Sequence, residues 1–220
     1  MLLLKAVVVL ALASAPPAKP AASAGCATTN IETALKHLEA HLKATAKPEK
    51  EVDPDDESGP PLAEEFMGLT WKIRDVPNGY MSTVGEAGTT YEAALFKNPE
   101  GYHLALVATG DSVVNTAAYR CDKSGLKLEK DALEVPLGTA IQLYANAGLI
   151  APKGKPGLSQ KTLRDWGGSI VAYHLPRQGR VVRLTAFVDE PDSVYGTELG
   201  ILEYSHSKFR VLPPEKKKAR

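Results

Sequence analysis

Two cysteines, one serine in a Gly-Asp-Ser turn and two histidines a helical turn apart are the residues of this 220-residue chain whose types and spacing bear on chemistry. Cys26 and Cys121 are the whole cysteine complement, so only one intramolecular pairing exists. On the oxidising side of a membrane such a pair reads as a disulfide, here closing a long loop worth roughly 4 to 5 kcal/mol in a chain-entropy model. Cys26 also has a second possible use. It stands directly behind an export signal, where a cysteine sulfur can take a lipid. The two uses exclude each other, and a third arrangement leaves both thiols unpaired with Cys121 buried in a strand.

Ser112 is the one catalytic candidate. Residues 106 to 112, Leu-Val-Ala-Thr-Gly-Asp-Ser, form an apolar strand that runs into the Gly110-Asp111-Ser112 turn. This fragment resembles the nucleophile block of the GDSL/SGNH esterases, and the resemblance implies a secreted serine hydrolase. It covers those seven residues. The family also uses a Gly-x-Asn-Asp block for its oxyanion site and an Asp-x-x-His pair to activate the serine. Neither occurs in this chain: three positions before His103, His174 and His206 stand Glu100, Val171 and Glu203.

Metal chemistry finds little support. His37 and His41 share a helical spacing, but Lys36, Glu39 and Lys43 surround them, as on a solvated face. Asp53, Asp55, Asp56 and Glu57 lack the turn glycine and closing glutamate of a calcium loop. No Gly-rich phosphate loop, zinc-type Cys/His spacing or Gly-x-Ser-x-Gly elbow occurs, so no cofactor and no metal is expected.

Residues 1–24 read as a signal peptide: Lys5, an apolar run from Ala6 to Leu12, then small residues ending at Ala22-Ser23-Ala24. Ser23-Ala24-Gly25-Cys26 resembles the tail of a bacterial lipoprotein signal, with Ser23 where a leucine-like residue is usual. The apolar run falls short of the roughly 18 to 20 residues that span a bilayer. An extracytoplasmic protein is therefore expected, periplasmic or secreted, touching membrane only if lipid-anchored. Lys and Arg total 26 and so do Asp and Glu, a formal net charge of zero. A balance of this kind offers no basic field for nucleic acid.

The elements that must position these residues follow in order. Residues 25–44 are expected as a helix, opened by a Thr29-to-Glu32 capping box and striped by Ile31, Leu35, Leu38 and Leu42. Residues 45–65 read as an acidic, proline-rich linker. Residues 66–212 carry short β-branched and aromatic runs separated by turns: Asn78-Gly79, then 98–101, 122–125 and 176–179. Such short connections imply antiparallel pairing. Two short helices interrupt the strands, one capped by Thr139 and stopped by Gly148, the other capped by Ser159 and stopped by Gly167. Residues 213–220 form a basic tail.

The fold class expected is thus α+β, an antiparallel β-meander body with an N-terminal helix and two inserted helices. Residues 104–129 and 184–212 echo one another, each with a strand, an Asp-Ser-Val turn and a later tyrosine. In function, the chain reads as an exported cell-envelope accessory or binding protein that engages an unknown protein or envelope component. The alternatives are the Ser112 hydrolase and an inhibitor or immunity-type partner protein.

Overall fold

The computed structural model describes residues 26, 30–46, 62–167, 169–188 and 190–213. The signal peptide, the acidic cluster at 53–57 and the lysines of the tail lie outside the described residues. Two antiparallel meanders make up the body. Strands β1 (Ile73–Asp75), β2 (Tyr80–Val84), β3 (Thr90–Asn98), β4 (Gly101–Thr109), β5 (Val114–Asp122) and β6 (Gly125–Leu128) form one sheet in sequence order. Strands β7 (Val171–His174), β8 (Val181–Ala186), β9 (Glu198–Ser205) and β10 (Lys208–Leu212) form the second, again in sequence order. The fold is α+β, as expected.

The turn chemistry explains the register. Asn98 pairs with Gly101 across a two-residue loop, and its side-chain oxygen accepts from the Glu100 amide at 2.9 Å. Asp122 does the same for Ser124 at 2.7 Å, fixing the β5–β6 hairpin. Both are side chains mimicking a backbone turn. Gly79 closes the β1–β2 connection with φ +71° after a 3₁₀ turn at Val76–Asn78.

Helix α1 (Ile31–Thr45) lays Ile31, Ala34, Leu35 and Leu38 on the six-stranded sheet. Its cap differs from the expected box. Asn30, one residue later than Thr29, accepts from the Glu32 and Thr33 amides, and Glu32 reaches Arg74 instead. An Asx side chain suits this cap at least as well as a threonine does. The stretch expected as linker ends in order: α2 (Leu62–Glu65) is a single helical turn whose Ala63, with the following Phe66, is buried. Helix α3 (Leu137–Asn146) begins two residues before Thr139, with Pro136 at its cap position, so Thr139 lies in its first turn and caps nothing. Proline serves there because its fixed φ suits a helix entrance. Helix α4 (Gln160–Trp166) keeps both expected ends: the Ser159 hydroxyl accepts from the Thr162 amide, and Gly167 ends it with φ +80°.

Strand β4 is covered on both faces. Tyr102, Leu104, Leu106 and Ala108 point toward α1 and α2, whereas Ala105 and Val107 join the core shared with the second sheet. Helices α1 and α2, the six-stranded sheet and the four-stranded sheet are therefore three layers around two cores, with α3 and α4 packed into the second core and β4 as the common wall. That double burial is the physical reason for its near-continuous apolar run.

The covalent tie lies in the first core. Cys26 and Cys121 form a disulfide, with Cα atoms 5.2 Å apart, both residues buried on the α1 face. Gly101 lies against it. A Cβ there would sit 2.0 Å from the Cys121 carbonyl oxygen, so only glycine fits. Gly200 on β9 meets a similar demand, since a Cβ would lie 2.5 Å from the Leu212 carbonyl oxygen and 3.3 Å from Leu143 of α3.

Candidate functional site around Trp166

The two echoed Asp-Ser-Val turns come to the same end of the sandwich. Asp111-Ser112-Val113 joins β4 to β5, and the Gly110 amide donates to the Val113 carbonyl at 2.9 Å. Asp192-Ser193-Val194 joins β8 to β9, followed by an extra turn at 195–197 before β9 begins. Between them stands α4, whose last residue, Trp166, is 43 % exposed.

A cavity of about 390 Å³ is lined by Ser112, Trp166, Ser169, Phe187 and Glu190, with Ile170 and Val188 at its floor. A second, of about 540 Å³, adjoins it through the shared Trp166 and Glu190 and extends to Thr162, Pro191 and Asp192. Both fall within the size range of small-ligand sites. The floor is rigid. The Tyr144 hydroxyl of α3 donates to the Ile170 carbonyl at 2.6 Å and accepts from the Phe187 amide at 3.2 Å. Burial pushes that phenol above its ordinary pKa, so it stays protonated as the donor. Outside, Tyr195 packs at a tilt against Phe187 with ring centroids 5.9 Å apart and is itself 56 % exposed.

Ser112 therefore lies in a cavity wall, as a nucleophile would, but no histidine lines either cavity. The histidines with structured partners are engaged elsewhere. His174 Nε2 is 2.9 Å from the Thr185 hydroxyl, and His37 Nδ1 is 3.4 Å from the Tyr102 hydroxyl. His37 thus leans onto the sheet, whereas an open solvated face was expected of it. Among the described residues, no three His, Cys, Asp or Glu side chains converge on a common point as metal ligands would.

His103 is fully buried between the sheets. Its Nδ1 lies 2.8 Å from the Tyr204 hydroxyl and its Nε2 3.0 Å from Glu129 Oε2. A carboxylate can only accept, so Nε2 carries the proton and Nδ1 accepts from Tyr204. Asn98 donates to the same hydroxyl at 3.1 Å. Arg120 Nε stands 3.2 Å from both Asp122 and Glu129, close enough for ion pairs but without hydrogen-bond alignment. Desolvation lowers the His103 pKa against the pull of Glu129, keeping the ring neutral. This network ties β4 to β9, and none of its residues lines either cavity.

Trp166, Phe187, Glu190 and Asp192 had no signal as site residues in the sequence. Trp166 stood before the helix-stopping Gly167, Phe187 lay inside an expected strand, and Asp192 belonged to the echoed Asp-Ser-Val turn. Their shared cleft arises from segments scattered between positions 112 and 192. Among the described residues, no helix is long and apolar enough to cross a membrane. No family model, curated protein or solved structure matches this chain.

Proposed function

We propose that the protein is an exported, disulfide-stapled binding protein of the cell envelope, and that the Trp166 cleft is where it takes its ligand. The observation that carries this reading is a rigid-floored, aromatic-walled cleft lacking a histidine to activate its serine. A leader-like N-terminus and a buried disulfide agree with work in an oxidising compartment. A sulfur engaged in that disulfide has no valence left for a thioether, which argues for a soluble form over a Cys26 lipoprotein.

Retention of the tagged protein by isolated envelopes tests the reading. Wild type should be retained and Trp166→Ala released, with melting temperature unchanged because the indole is exposed. Equal retention of a folded Trp166→Ala variant would overturn it. The intact mass of the mature protein separates the two fates of Cys26: reduction adds two hydrogens to a disulfide, whereas a lipoprotein carries a diacylglycerol-sized gain.

The Ser112 hydrolase is the second reading, favoured by one observation, the position of Ser112 in the cavity wall. It requires turnover of ester substrates that Ser112→Ala abolishes. An inhibitor or immunity-type role would instead give a stoichiometric complex with no turnover.

A further inference from the structure

The charged groups lining the two cavities are all of one sign. Glu190 and Asp192 are carboxylates, and among the described residues neither wall contains a lysine, arginine or histidine. The neutral polar groups are the hydroxyls of Ser112, Ser169 and Thr162. Trp166 stands between the compartments with much of its ring exposed, and Phe187 with Tyr195 extends the aromatic surface.

We propose that this cleft recognises a basic peptide segment, seating lysine or arginine side chains against the Trp166 ring with Glu190 and Asp192 as counter-charges. The inference rests on the reading of the cleft as the binding site and adds the class of ligand. An indole face attracts a cation more strongly than the other aromatic side chains do. Carboxylates in a partly enclosed cleft focus negative potential there and repel phosphates, carboxylates and anionic lipid. A neutral oligosaccharide could use the ring and the acceptors, but it would gain nothing from the unbalanced charge. Two compartments flanking one indole suit successive side chains of an extended peptide, which a single small amine would leave half empty. The aliphatic stems of lysine and arginine would cover the apolar wall while their heads meet the carboxylates.

The chain has two tryptophans, so Trp71→Phe leaves Trp166 as the only indole. That variant of the full mature chain is titrated with tetralysine amide, tetraglutamate and a neutral tetrasaccharide of N-acetylglucosamine, following indole fluorescence. Tetralysine should bind, and tetraglutamate should not. Glu190→Gln should weaken tetralysine binding about three- to tenfold, and raising the salt to half molar should weaken it further. Unchanged far-UV circular dichroism of Glu190→Gln serves as the folding control. Tighter binding of the saccharide, indifferent to Glu190→Gln, would overturn the basic-peptide assignment and leave the cleft as a binding site. A silent indole with every probe would also overturn the assignment, and the envelope-retention comparison would then judge the cleft separately.

Discussion

His103 on β4 and Tyr204 on β9 are joined by a 2.8 Å hydrogen bond that crosses from one sheet to the other, and both residues are buried. A buried polar pair of this kind fixes the facing of the two sheets, because any slip leaves an imidazole and a phenol unsatisfied in the core. Phe96 and Phe209 pack around Tyr204 at centroid distances of 5.1 and 4.9 Å, so the polar link is enclosed by aromatic rings.

Tyr204→Phe should keep that packing and remove one hydroxyl. The loss leaves His103 Nδ1 and the Asn98 amide only their longer mutual contact of 3.4 Å. We expect destabilisation of about 1 kcal/mol, the net worth of a buried hydrogen bond whose partners keep a weaker one. Urea midpoints of the two proteins measure it, and a change below a few tenths would show that the network contributes little.

The same region sets an acid limit. Desolvation holds the His103 pKa below its ordinary value, and desolvation together with Arg183 does so for His174. The unfolded chain takes up protons on both rings near pH 6.5 while the folded chain resists, so stability is full above that pH and is lost as pH falls through the folded pKa values. Glu92 acts with the opposite sign. Burial raises its pKa, so its contribution is present below its unfolded value and is lost as pH rises through the folded one. The histidines should lower the urea midpoint between pH 7 and pH 5, and Glu92→Gln should steepen that fall by removing the opposing carboxyl. His103→Gln should flatten that fall; an unchanged slope would assign it elsewhere.

Reducing the disulfide should loosen α1 before the sheets. Cys121 sits on β5 under the helix layer, and the crosslink spans 95 residues of sequence. The entropy model sets roughly 4 to 5 kcal/mol for a loop of this size. Hydrogen exchange after reduction should quicken at Ile31, Leu35 and Leu38 while β4 remains protected. Uniform loss of protection would show a single cooperative unit.

Gly101→Ala should be among the most damaging single-methyl additions. The new carbon would lie 2.0 Å from the Cys121 carbonyl, against backbone that has no rotamer to change. Gly148→Ala is the comparison: its φ is also positive, +72° against +156° at Gly101, but it has open space around it. The second variant should lose about 1 kcal/mol through backbone strain alone, and the first clearly more.

Much of the fold was legible because it follows from local rules. Asn98, Asp122 and their following glycines specify hairpins wherever they occur, and short hairpins force antiparallel neighbours. Ser159 and Gly167 bound α4 for equally local reasons, and the cysteine count allowed only the pairing that is found. Where the cap of α1 moved from Thr29 to Asn30, two adjacent residues competed for one task, and nothing in the sequence ranks them.

The cleft was not legible, because distance along the chain hides it. Ser112, Trp166, Glu190 and Asp192 become neighbours only when two meanders stack and bring their echoed turns to one end. The sequence by itself determined the turns, the strands from β3 onward and the α+β class, and it left Cys26 a choice among a lipid, a disulfide to Cys121 and a free thiol. Tertiary structure alone decided that β4 is buried on both faces, that His103 is an inter-sheet tie, and that an exposed indole shares its cleft with carboxylates and, among the described residues, with no cation. Those facts depend on which surfaces exclude water from one another, and that is a property of the packed layers as a whole.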